Sequence, residues 1–186
     1  VIFPGMLLQF DVGRKKSVQA LDRAMNSDQM IFLVAQKSLT DNDPAADQLY
    51  KVGVVAKIRQ VIRRTDEGIR LFAEGMYRAE TESVVNSDPC FVVSLRRLDT
   101  LPYRQTRRTD ALVRRAQGLF EQYIQHYSHI PPDIILSVVQ QKNCGTLADY
   151  IAANIMFDYT EKQTILEELH PVRRLEKLSE ILQKEI

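Results

Sequence analysis

Most of the marks of an enzyme, a membrane protein or a secreted domain are missing from this sequence. No GxxxxGK[ST] segment is present to cradle nucleotide phosphates, and the 7 glycines are scattered. No nucleophile stands in a recognisable pattern with an orienting base. Histidine is scarce: His126, His129 and His170. The i, i+3 spacing of His126 and His129 suits a metal, but no Cys or Asp completes a set before Asp133, so exposed or helix-terminal histidines are the expected reading. Cysteine is scarcer still. Cys90 and Cys144 form no CxxC pair, which argues against zinc, and two reduced thiols in a cytosolic protein are favoured over a disulfide. No apolar run approaches the ~20 residues of a membrane helix. The opening Val1-Ile2-Phe3-Pro4 is not a signal peptide; it lacks Met, enters within an apolar run, and reads as the start of a piece of a longer protein. An excess of one charge is also lacking. Lys+Arg 25 against Asp+Glu 24 leaves a net charge of +1, which offers no global attraction to nucleic acid or anionic lipid.

What is present is an ordinary globular composition, 45% hydrophobic and 26% charged over 186 residues, enough for one domain or two small ones. The first half has strand character. Residues 6–12 form a short apolar stretch closed by Gly13. A helix is expected over 15–26, where Val18, Leu21 and Met25 make one stripe. The run from Met30 to Gln36 has strand length and is expected to be buried on both faces. Residues 38–48 are polar, contain Pro44 and read as a loop. From Val52 to Arg63 the pattern alternates: Val52, Val54, Ala56, Ile58 and Ile62 on one face, and Lys57, Arg59 and Arg63 with Val55 and Val61 on the other. Thr65-Asp66-Glu67-Gly68 supplies a turn, and Ile69, Leu71 and Ala73 resume the alternation. Gly75 is expected to end that strand at a positive φ. Two further strands are expected near 79–85 and 91–98.

From Thr106 onward the period becomes 3.6 residues. Leu112, Ala116, Leu119, Phe120, Tyr123 and Tyr127 mark a long helix. Pro131-Pro132 opens the next. Asn143-Cys144-Gly145 breaks it, and Leu147, Ile151 and Ile155 mark another. Thr160 with Gln163 reads as a capping box, and Leu175, Leu178 and Leu182 follow Pro171 in the last helix. The fold class is therefore α+β, with a β-rich lobe over 1–103 and a helical bundle over 104–186. The paired carboxylates Glu167-Glu168 and Asp41 with Asp43 read as solvation rather than acid–base machinery. The arginine pairs 63–64, 96–97, 107–108 and 114–115, with Arg104, have only Tyr103 beside them as an aromatic platform, so salt-bridged or solvated faces are favoured over nucleic-acid binding.

Several short segments, in order and at their spacing, carry a likeness. They are Phe3-Pro4-Gly5-Met6, Val12-Gly13-Arg14-Lys15-Lys16-Ser17, residues 32–37 (FLVAQK), Glu74-Gly75-Met76-Tyr77-Arg78-Ala79, Ile130-Pro131-Pro132-Asp133 and residues 162–167 (KQTILE). Together they resemble the amino-terminal domain of the bacterial Lon family of ATP-dependent proteases, over almost the whole chain. The resemblance implies a twisted PUA-like β-lobe with one early helix, then a helical bundle. It also implies a non-catalytic domain that binds unfolded, damaged or degron-bearing proteins and supports a cytoplasmic homo-hexamer. ATP and Mg would belong to the parent and no cofactor to this piece. No membrane partner is implied, and nucleic acid is disfavoured; a free-standing PUA-like RNA-binding module or a structural adaptor is the alternative. Two departures stand out: the family's Leu-Pro-Leu-like opening would precede Val1, and the last helix begins His170-Pro171 instead of at an Asp or Ser cap. Within this reading, Met6 and Met76 flank turns and are candidates for adaptable apolar contact with substrate. Arg14, Lys15 and Lys16, at a strand-to-helix corner, are candidates for contact with acidic stretches.

Overall fold

The computed structural model describes residues 1–65, 68–127 and 130–186. The architecture is α+β, and the chain divides into two compact units, Val1–Leu98 and Asp99–Ile186.

The first unit contains strands β1 (Leu7–Val12), β2 (Met30–Leu33), β3 (Val52–Arg64), β4 (Gly68–Asn86) and β5 (Val92–Leu98), with helix α1 (Lys15–Met25) between β1 and β2. The sheet is antiparallel throughout, in the order β1-β4-β3-β2, with β5 added to β4. β4 is its axis. β3 runs along one side of it, while β1 pairs with residues 69–74 on the other side and β5 takes over from residue 78. The two strands expected near 69–73 and 79–85 are thus one, and Gly75 lies inside it. Positive φ occurs among the described residues at Gly5, Gly68 and Gln29, not at Gly75. What position 75 requires is space. The Gly5 amide donates to the Gly75 carbonyl at 2.8 Å, and the Gly75 amide donates to the Met6 carbonyl at 2.9 Å. A Cβ at position 75 would lie 2.5 Å from the Phe3 carbonyl oxygen. At the β3–β4 turn Gly68 has φ +84°; Asp66 and Glu67 of the expected turn lie outside the described residues.

The alternation in β3 holds only in part. Register shifts at Val55/Ala56 and Ile58/Gln60 interrupt the two-residue period. Beyond the second shift the faces exchange: Val61 packs on the core, and Ile62, expected inside, is 36% exposed. β2 also departs from expectation. It is a four-residue strand at the end of the sheet order with half-buried side chains, not a doubly buried run. α1 covers one face of the sheet. Leu21 and Ala24 are buried against Val12, Ala56, Ile58 and Leu71, with Val18 at the margin and Met25 turned outward. That contiguous apolar packing is what fixes the helix over the sheet.

The second unit contains α2 (Arg107–His126), α3 (Pro132–Gln140), α4 (Cys144–Asn154), α5 (Tyr159–Glu167) and α6 (Pro171–Glu185). Local chemistry sets the boundaries. Thr106 and Thr109 cap α2 reciprocally, and Pro132 and Pro171 occupy first helical positions, where a missing amide costs nothing. The Asn143 side chain accepts from the Thr146 amide, so the segment expected only as a break also starts α4, with Cys144 and Gly145 in its first turn. At α5 the cap is Asp158, which accepts from the Thr160 amide at 2.7 Å; the expected Thr160–Gln163 box does not form, and Gln163 is buried instead.

α6 packs on α2 and α4, burying Phe120, Leu147, Ile151, Leu175 and Leu178. Arg174 is buried among them. It donates to Asp149 Oδ2 at 3.2 Å and to the Glu168 main-chain carbonyl at 2.7 Å. A Cβ on Gly145 would meet Arg174 Nη1 at 3.2 Å and Pro171 Cβ at 3.1 Å, so the guanidinium owes its place to that glycine. α6 has no side-chain cap from His170, but the Glu168 carboxylate accepts from the His170 amide at 3.0 Å. Burial alone would push the Glu168 carboxyl up; the His170 amide, Arg173 and Lys177 outweigh it and hold the carboxyl below its ordinary range.

Candidate functional site

A cleft of about 1250 Å³ opens in the first unit. Several parts of the chain line it. α1 contributes the stripe Lys16, Ala20 and Arg23; β2 contributes Ile31, Phe32 and Leu33; β5 and the segment before it contribute Phe91, Val93 and Leu95. The 42–51 loop, residues 81–84 of β4, and Phe10, Val12 and Leu71 also line it. The interior is mainly aliphatic and aromatic. Around it stand basic side chains (Arg14, Lys15, Lys16, Arg23, Lys51) and as many acidic ones (Asp28, Asp43, Asp47, Glu82, Asp88). That balance leaves no excess of one charge around the apolar interior.

The structure brings Arg14, Lys15 and Lys16 together at the cleft, and gives them different work. Arg14 donates to Gln36 Oε1 at 2.7 Å and to the Asp41 carbonyl at 3.3 Å. Lys16 pairs with Asp43 at 2.8 Å, is half-buried, and lies over the Phe91 ring at 5.1 Å. Both therefore fasten the 36–43 loop to the start of α1, which shapes the mouth of the cleft. Lys15 is exposed and makes no ion pair among the described residues. Met6 and Met76 do not line the cleft. They stand on either side of the Gly5–Gly75 hydrogen bonds, Met6 half-buried and Met76 43% exposed. The most outward methionine is Met156, 84% exposed in the second unit. Sequence patterning did not single out Phe91, Val93, Leu95 or Ala20; the one available signal was that residues 91–95 are almost continuously apolar in a strand beside a polar turn.

His126 is exposed, with Nδ1 3.1 Å from the Gln122 carbonyl oxygen, and His129 lies outside the described residues. Among the described residues no group of three His, Cys, Asp or Glu side chains is placed to hold a metal. Both cysteines are free and buried. No described helix is long and apolar enough to cross a membrane.

The sequence model of the family described as the "ATP-dependent protease La (LON) substrate-binding domain" matches residues 1–184. The chain belongs to the Lon substrate-binding domain family. The "Lon protease" of Desulforamulus reducens is 37% identical over 186 residues, and that of Xanthomonas oryzae pv. oryzae is 36% identical over 186. All of this chain is aligned in both, against 23% and 22% of the two relatives, so the chain spans under a quarter of their length. In fold it is similar to the "N terminal domain of Mycobacterium avium complex Lon protease", with a TM-score of 0.78 at 21% identity over 100% of this chain and 94% of that one. A Lon N-terminal domain protein from Xanthomonas campestris superposes with a TM-score of 0.65 at 16% identity, over 96% and 90%. The Lon likeness runs the length of the chain and includes both units.

Proposed function

We propose that this Lon domain is a non-catalytic receptor whose first-unit cleft holds apolar segments of unfolded or degron-bearing polypeptides. In the longer protein these would be passed to ATPase and protease modules that carry the ATP, Mg and catalytic serine. The observation that carries the reading is the cleft itself: an apolar interior between α1, β2 and β5 with charges of both signs at the rim. Such a lining accepts many sequences, as a receptor for unfolded chains must. Arg14 and Lys16 act by holding the 36–43 loop at its mouth, and Lys15 meets passing acidic side chains. Met6, just before β1, and Met76, on β4, form a second apolar contact on either side of the Gly5–Gly75 hydrogen bonds. A PUA-like β-lobe, a helical lobe that supports homo-hexamer assembly, and a cytoplasmic setting complete the proposal.

The test is a titration of labelled, permanently unfolded polypeptide against the 186-residue chain. Affinity is expected at micromolar or weaker, no stronger than roughly −8 kcal/mol, because several linked sites in an oligomer gain effective concentration without new contacts. Val93→Asp, in the cleft, is expected to weaken binding several-fold with the circular dichroism spectrum retained. Met76→Asp is expected to have a smaller effect. If Val93→Asp binds as the parent does and Met76→Asp does not, the receptor surface is the methionine pair and not the cleft.

A further inference from the structure

The arginines of α2 do not line the cleft. Arg107, Arg108, Arg114 and Arg115 are all exposed, and Arg104 stands exposed just before the helix. At 100° per residue the four helical arginines fall within an arc of about 120°, opposite the buried Thr109, Val113, Ala116 and Phe120. Between the two pairs on that arc lies only Ala111, so nothing bulky separates them. Polar and acidic partners sit at the margins. Glu176 is 3.8 Å from Arg108, Arg115 donates to the uncharged Gln183 at 2.9 Å, and Asp110 accepts from Gln105 at 3.0 Å. Glu121 is exposed one turn further along. Arg107 and Arg108 also occupy the first turn, where the helix dipole disfavours cations. The sequence thus places positive charge where it costs stability, a pattern expected where a surface serves a partner.

We infer that this face of α2 is a docking surface for an acidic segment of a polypeptide. Complementary charge is the argument: two arginine pairs one heptad apart, about 10.5 Å along the axis, offer forked donors to carboxylates at matching intervals. A single-stranded nucleic acid is the poorer match. Its bases would need aromatic platforms, and Tyr103, next to Arg104 in sequence, is half-buried with its hydroxyl accepting from the Cys144 amide at 3.0 Å. The inference rests on the reading of the chain as a polypeptide receptor and gives it a second, electrostatic criterion: clients that carry an acidic stretch as well as an apolar one are preferred.

The probe is a fluorescent twelve-residue oligo-glutamate peptide, followed by anisotropy with the 186-residue chain at low ionic strength. Arg107→Gln/Arg114→Gln is expected to weaken binding about tenfold, since exposed charge pairs are each worth only a modest amount. Arg63→Gln, on the first unit, should leave it unchanged. Salt should abolish binding, and unfolded polypeptide lacking acidic residues should not displace the probe. Equal affinity in the double variant overturns the proposal. So does displacement by single-stranded DNA or polyphosphate at far lower concentration than by unlabelled peptide, which would make the face a phosphate-polymer site. The Val93→Asp titration is independent of both outcomes: a parent chain that binds unfolded polypeptide in the cleft but not the oligo-glutamate probe sinks only this inference, while an inert cleft in a chain with a working arginine face sinks only the receptor reading.

Discussion

At the scale of single residues, two glycines make opposite predictions. Gly75→Ala would put a methyl group 2.5 Å from the Phe3 carbonyl oxygen, inside the strand that organises the sheet. A loss of about 1–3 kcal/mol is expected from urea unfolding. Gly118→Ala meets no heavy atom within 4 Å on α2, and a gain of up to about 1 kcal/mol is expected because alanine replaces glycine in a helix interior. In the second unit, Asp149→Ala leaves the buried Arg174 guanidinium without that carboxylate, at a cost of about 3–5 kcal/mol. Glu168 links the same region to pH. Its folded carboxyl titrates below the ordinary value of 4.5. The stabilisation it gives is therefore complete above that value and disappears as pH falls through the lower, folded one. Denaturation curves at successive pH values should show Glu168→Gln destabilised at neutral pH and its deficit narrowing under acid; a deficit constant with pH would contradict the coupling.

At the scale of elements, the register shifts in β3 invert a reading that strict alternation suggests. Val61→Asp is expected to destabilise the first unit by more than about 2 kcal/mol and Ile62→Asp by less than about 1 kcal/mol, as thermal unfolding of the two variants would show. The same place marks the limit of what sequence patterning reveals. Helices α2 and α6 were legible because their apolar spacing is local, and the strand character of β3 was legible for the same reason. The bulges were not, since pairing with β4 sets them. Gly75 reads as the end of a strand because glycine has two uses, positive φ and close approach, and only the position of Phe3 distinguishes them. Asp158 was missed as a cap because Thr160 offers the same chemistry two residues on. The cations of α1 were visible as a cluster, but their contacts with Gln36, Asp41 and Asp43 depend on how the 36–43 loop returns. The cleft needs α1, β2 and β5 to meet, and no window of sequence contains all three.

At the scale of the molecule, the two units each have a core, and the expected protease-sensitive places are the polar 38–48 loop and the 99–109 connection. A protease of broad specificity, such as subtilisin, should cut there first, and mass spectrometry of the early fragments would show it; early cuts within β3 or β4 would contradict the strand assignment. Both thiols are buried, and burial also pushes the Cys144 thiol up, with the Tyr103 hydroxyl beside it. A thiol reagent at mildly alkaline pH should therefore react only as the chain unfolds. β4 has a further consequence, which concerns how the chain is made. It is the strand to which β1, β3 and β5 all attach, and Leu7 finds its partner only at Glu74. During synthesis from the amino end, β1 waits unpaired while some sixty further residues emerge, and β3 waits with one edge bare. A ribosome halted before residue 68 would hold a chain with open strand edges and an uncovered α1. Such a nascent chain is itself a client of the kind proposed for the finished domain, so this receptor's own unfinished copies would be among the proteins it is suited to bind.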